Sequence, residues 1–104
     1  MKTIIEGHLY ELGNFVNENG PGQQLQFIHK QELDDDRGGL MKVTDGTTNE
    51  EVIEMMIDRS VSLNNKFPCE ENVNAIASLK SALMWFRKRT ADRQKRGVEG
   101  KQLA

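Results

Sequence analysis

The chain has 104 residues and a formal net charge of −2, with 37% hydrophobic and only 6% aromatic residues. That is enough for one domain with a thin core, and the near-neutral total argues against a nucleic-acid coat protein. The charge is unevenly spread: residues 1–58 hold four basic and twelve acidic side chains, a net of −8, whereas residues 87–101 hold seven basic and two acidic, a net of +5.

Cys69 is the single cysteine, so an internal disulfide or a cysteine-built zinc site is not expected, and a reducing cytoplasm is. The start, Met1-Lys2-Thr3-Ile4-Ile5-Glu6, does not read as a signal peptide. No run is long enough to span a bilayer, and the expected location is the cytoplasm.

Residues 1–45 read as a small antiparallel sheet. Leu9–Leu12 and Phe15-Val16 make a first run. Leu25 and Phe27 alternate with Gln24, Gln26 and Ile28 in a second, with the hairpin loop near 17–23 at Asn17-Glu18-Asn19-Gly20-Pro21-Gly22. A further loop, Glu32 to Gly39, precedes a short third strand over 40–43. Residues 46–100 read as a helical hairpin and 101–104 as a tail, the whole forming one α+β domain.

Asp45-Gly46 supplies a turn, and Thr48-Asn49-Glu50-Glu51 has the pattern of a capping box for a first helix over about 48–64. Val52, Ile53, Met56, Ile57 and Leu63 recur at helical spacing. Pro68 suits the first position of a second helix, where its missing N–H is harmless. Val73, Ile76, Leu79, Leu83 and Phe86 form its apolar stripe, and Gly97 suits its C-terminal cap. The second helix, about 68–96, outruns the first. Packing is expected to reach about Trp85, leaving three basic turns that need a partner, for which we expect a second copy.

Arg89, Arg93 and Arg96 step by four and three along that overhang and share a face. Guanidinium forks suit phosphate, although a solvated basic helix end would show the same spacing. Trp85, Phe86 and Phe67 are able to stack on bases, but core positions are the commoner use of such residues. His8 and His29 lack metal-spaced partners. Asp34-Asp35-Asp36 lacks the pattern of a calcium loop. No phosphate-binding loop or nucleophile motif occurs, so no metal, cofactor or catalysis is expected. A nucleic-acid-binding hairpin using the basic helix end is the alternative reading; its affinity would fall steeply with salt.

The segments Gly46–Val52, Leu63–Asn72, Ala82–Trp85, Arg89–Arg93 and Arg96-Gly97-Val98-Glu99-Gly100, with Leu25–Lys30, resemble phage anti-Thoeris proteins of the first Thoeris anti-defence family. These share a helical hairpin with phage anti-CBASS sponge proteins. The resemblance covers roughly residues 24–100. It implies a non-enzymatic sponge that holds glyco-cyclic ADP-ribose, the signal made by bacterial TIR-domain proteins, in pockets between protomers. Some members also take CBASS cyclic trinucleotides, in a hexamer built as a trimer of dimers. By this resemblance Asn72 contacts a base, and Arg89 crosses to the partner's pocket and packs on the adenine. Thr90, Arg93, Arg96 and Gly97 neighbour the phosphates. A position that often carries a stacking aromatic falls at Ser62, and Phe67 is the nearest aromatic able to replace it.

Overall fold

A computed structural model describes residues 1–32 and 41–97. The Asp34–Asp36 and Gly38-Gly39 loop, Leu40, and Val98-Glu99-Gly100 lie outside them. The architecture is α+β, with antiparallel strands followed by two helices. The chain divides into two compact units, one over Met1–Thr48 and one from Asn49 onward.

In the first unit, β1 (Lys2–Ile5), β2 (Leu9–Leu12) and β3 (Gln23–Gln26) form an antiparallel sheet in that order. β4 (His29–Glu32) and β5 (Met41–Thr44) form a separate antiparallel pair. The single sheet expected from sequence is therefore two. The break falls at Phe27-Ile28, where the backbone changes partners. The Phe27 N–H donates to the His8 carbonyl at 2.7 Å, and the Ile28 N–H to the Thr47 carbonyl at 2.9 Å.

Gly46 makes that exchange possible. A Cβ there would lie 2.6 Å from the Phe27 carbonyl carbon, and the Gln26 carbonyl oxygen would be closer still. The expected Asp45-Gly46 turn is present, with the Gly46 N–H donating to Asp45 Oδ1 at 2.8 Å.

Tyr10 pairs with Leu25 across β2 and β3, and its ring meets Phe27 edge-on at 6.0 Å. At the sheet switch the His8 and His29 rings stack, with centroids 3.6 Å apart. Phe15 and Val16 do not join a strand; they are 96% and 91% exposed. Asn14 organises their loop instead, donating to the Pro21 carbonyl at 2.8 Å and accepting from Gln23 Nε2 at 2.8 Å.

In the second unit, α1 (Asn49–Lys66) and α2 (Glu70–Lys95) pack as an antiparallel hairpin. Their lengths are about 27 Å and about 39 Å at 1.5 Å per residue. Leu83, 6% exposed, is the one buried side chain among the described residues. Half-buried Val52, Ile53 and Ile57 from α1 and Ile76, Leu79 and Phe86 from α2 complete the seam. Three of the expected core residues, Met56, Leu63 and Val73, are instead exposed, because a two-helix pair covers only one narrow stripe of each helix.

The overlap runs further than the lengths suggested. Arg87 ion-pairs with Glu54, and the Thr90 hydroxyl lies 3.4 Å from Glu50 Oε1, one residue into α1. The basic overhang past Thr90 is thus about one and a half turns rather than three. α2 also starts two residues later than expected. Pro68 precedes the helix, and Cys69, extended at φ −154° and ψ 158°, is the N-cap.

Candidate functional site

The second helix positions most of the residues singled out from sequence. Its first turn is fixed by a set of local hydrogen bonds. The Cys69 thiol accepts from the Asn72 N–H at 3.4 Å, and the Cys69 N–H donates to Asn64 Oδ1 at 3.1 Å. Asn72 Nδ2 reaches the Phe67 carbonyl at 3.5 Å. This last contact sits at the outer limit of hydrogen bonding, so the Asn72 amide is lightly held. Glu70 and Glu71 occupy the first turn, where negative charge favours the helix dipole. Ser62 and Phe67 are both exposed near this turn, Phe67 at 78%.

At the other end, the helix closes on Arg96, with Gly97 next at φ 71°. That left-handed backbone is the geometry for which a glycine was expected. The Gly97 N–H donates to the Gln94 carbonyl at 3.0 Å and the Arg96 N–H to the Asp92 carbonyl at 3.1 Å.

Arg89 and Arg96 line a shallow depression of about 460 Å³ together with Trp85, Lys88, Asp92 and Lys95. At 100° per residue, Trp85, Arg89, Asp92 and Arg96 fall within a roughly 60° arc, centred roughly 120° from the arc that packs on α1. Trp85, for which a core position was the commoner expectation, is 62% exposed. The helical spacing held the signal that places it: Trp85, Arg89 and Arg96 are separated by four and seven residues, so they share a face.

The other predicted residues of this helix end, Thr90, Arg93 and Gly97, do not line this depression. Thr90 points to α1 through its contact with Glu50, and Arg93 is half-buried between the two arcs. Lys88 Nζ and Asp92 Oδ2 pair at 3.1 Å across one turn of the depression. Four cationic side chains against one carboxylate leave the patch at +3, a field suited to a phosphorylated ligand.

The predicted site residues thus separate into two groups. Ser62, Phe67 and Asn72 lie at the turn end of the hairpin, whereas Arg89, Thr90, Arg93, Arg96 and Gly97 lie at the far end. Asn72 and Arg89 are about 25 Å apart along one rigid helix. A larger groove of about 670 Å³ runs along the hairpin flank, walled by Ile57, Val61, Leu83 and Met84. It contains none of the predicted site residues. Among the described residues no helix is long and apolar enough to cross a membrane, and no cluster of three His, Cys, Asp or Glu side chains is placed to hold a metal.

Residues 29–91 match the model of the Acb2/Tad1 hairpin-domain family. The chain is also similar to "Thoeris anti-defense 1" of Bacillus phage SBSphiJ7, with 52% identity over 56 residues. That segment is 53% of this chain and 39% of the phage protein, so the match spans well under half of that relative's length. It is the hairpin, with the turn that holds Asn72 and the face that carries Trp85 and Arg89, that falls inside the family match, and on that ground the chain belongs to the Acb2/Tad1 hairpin family.

Proposed function

We propose that this protein is a non-enzymatic anti-defence sponge that sequesters glyco-cyclic ADP-ribose in pockets shared between copies of the chain. The observation that carries this reading is the separation of Asn72 from Arg89. One dinucleotide cannot touch both on a single protomer, but two hairpins placed head to tail bring the far end of one to the turn end of the other. Exposed Met55, Met84 and Val73 on the hairpin supply apolar surface for such an assembly, a dimer or a hexamer of three dimers.

The ligand chemistry fits. Its pyrophosphate brings about two negative charges, and charge-assisted hydrogen bonds contribute about 1.5–3 kcal/mol each. Nanomolar affinity is about −12 kcal/mol net of association costs, so three such bonds and base stacking need the further burial of the ligand between protomers. A sponge without turnover needs that tightness to keep its signal from an effector.

The test is calorimetry with glyco-cyclic ADP-ribose beside a native mass of the oligomer, followed by heat release of the ligand. Nanomolar binding and chromatographically intact nucleotide support the proposal. Hydrolysed nucleotide would replace it with an enzyme. Binding only to DNA or RNA, weakening steeply with salt, would replace it with the nucleic-acid reading.

A further inference from the structure

We infer that Trp85 is a base-stacking wall of a nucleotide subsite on the outer face of α2, beside the Arg89 guanidinium. The inference rests on the sponge reading for the identity of the nucleotide, and it assigns an aromatic surface that Ser62 does not provide.

The chain has one tryptophan, and it stands 62% exposed beside the cations of the basic patch instead of packing on α1. An indole so exposed is an apolar plane offered to solvent. Such a plane is most useful where a flat polar ring will cover it. Arg89 follows one turn later on the same face, about 6 Å along the axis, close enough for one small nucleotide to touch both side chains. Among the described residues, neither the Trp85 indole N–H nor the Arg89 guanidinium has a hydrogen-bond or ion-pair partner. Lys88 is tied to Asp92, which tempers the carboxylate inside an otherwise cationic patch.

A small nucleotide suits this surface better than a polymer. The patch from Trp85 to Arg96 is about 16 Å long, and residues 1–58 carry a net of −8, which would repel an extended phosphate backbone. In the head-to-tail assembly, Trp85 travels with Arg89 to the neighbour's turn end. It thereby supplies stacking where the neighbour's Ser62 has none.

The single tryptophan makes the test direct. Wild type, Trp85→Ala and Trp85→Phe are titrated with glyco-cyclic ADP-ribose and with ADP, by calorimetry and, for wild type, by tryptophan fluorescence. Circular dichroism and native mass establish that each variant keeps its fold and assembly. The expected result is quenching of wild-type fluorescence at saturation. Affinity should fall about tenfold or more in Trp85→Ala and less than about fivefold in Trp85→Phe, which keeps an aromatic plane.

Tight binding of glyco-cyclic ADP-ribose with unchanged fluorescence, and Trp85→Ala within twofold of wild type, overturns the Trp85 assignment while leaving the sponge reading intact. If wild type does not bind glyco-cyclic ADP-ribose, the sponge reading fails and ADP decides the subsite. Wild-type quenching by ADP, with calorimetric ADP binding that is lost in Trp85→Ala, sustains it, and no response to ADP overturns it. Quenching by a single-stranded oligonucleotide alone, reversed by salt, also overturns it.

Discussion

The two ends of the hairpin use their polar side chains differently. At the turn, Asn64 and the Cys69 thiol take up backbone N–H groups that the break between α1 and α2 leaves without helical partners. At the far end, Trp85 is 62% exposed, and Arg89 has no hydrogen-bond or ion-pair partner among the described residues. Polar residues near a helix start carry a structural duty before any ligand arrives, whereas a largely exposed aromatic beside a guanidinium contributes little to the fold. The contrast separates residues whose loss should lower stability from those whose loss should lower binding.

The largest effect is expected at the far end. Arg89→Ala should weaken glyco-cyclic ADP-ribose by about 10- to 150-fold, the equivalent of about 1.5–3 kcal/mol for a charge-assisted contact. The melting temperature and native mass should not change. An unchanged calorimetric affinity would remove Arg89 from the site.

Next comes Ser62→Phe. Restoring an aromatic near the turn should tighten binding by about tenfold, since stacking on a base is worth about 1–3 kcal/mol. No gain would mean that the stacking surface is already complete, as the Trp85 assignment permits, or that Ser62 lies off the ligand. Combining Ser62→Phe with Trp85→Ala separates these: rescue indicates shared duty, and the absence of rescue places Ser62 outside the pocket.

Asn64→Ala should break the contrast from the other side. It removes the acceptor for the Cys69 N–H and should cost about 1 kcal/mol of stability, visible in denaturant unfolding, with ligand affinity within twofold. A large loss of affinity at constant stability would mean that the turn serves the ligand directly.

Smallest is Lys88→Ala. Its pairing with Asp92 is exposed, at 61% and 56%, and such i,i+4 pairs contribute about 0.3–0.5 kcal/mol. The variant should melt within a degree or two of wild type. A larger drop would show that the Lys88–Asp92 pair contributes more than an exposed ion pair does.

Much of the fold was legible because its signals are local. The apolar spacing of Ile76, Leu79, Leu83 and Phe86 needs only the helical period to place them on one side. Gly97 declares a left-handed turn through its own conformational freedom, and Gly46 allows a close backbone approach because it has no Cβ. The N-terminal strands were harder to read. β1 was not separately resolved, and Gln24–Ile28 read as one strand, although the chain leaves its sheet at Phe27. That departure depends on Thr47, about twenty residues away, which offers its carbonyl to Ile28; no local pattern encodes such a partner. The second helix starts two residues after the expected Pro68 for a related reason. Pro68 is the stronger sequence signal, but the Cys69 thiol accepts the Asn72 N–H and Asn64 reaches across the turn to fix Cys69.

The sequence by itself determined that this is an α+β chain with a helical hairpin, that its arginines gather at one helix end, and that its residues resemble those of anti-Thoeris proteins. Composition, period and motif are properties of neighbouring residues and survive without coordinates. Tertiary structure alone decided that Trp85 faces outward, that Thr90 serves Glu50, and that the overhang is one and a half turns. It also decided that Asn72 and Arg89 stand at opposite ends of one unit. Those facts depend on which stripe of α2 is covered by α1 and for how long, and two helices of unequal length leave that register to packing rather than to pattern.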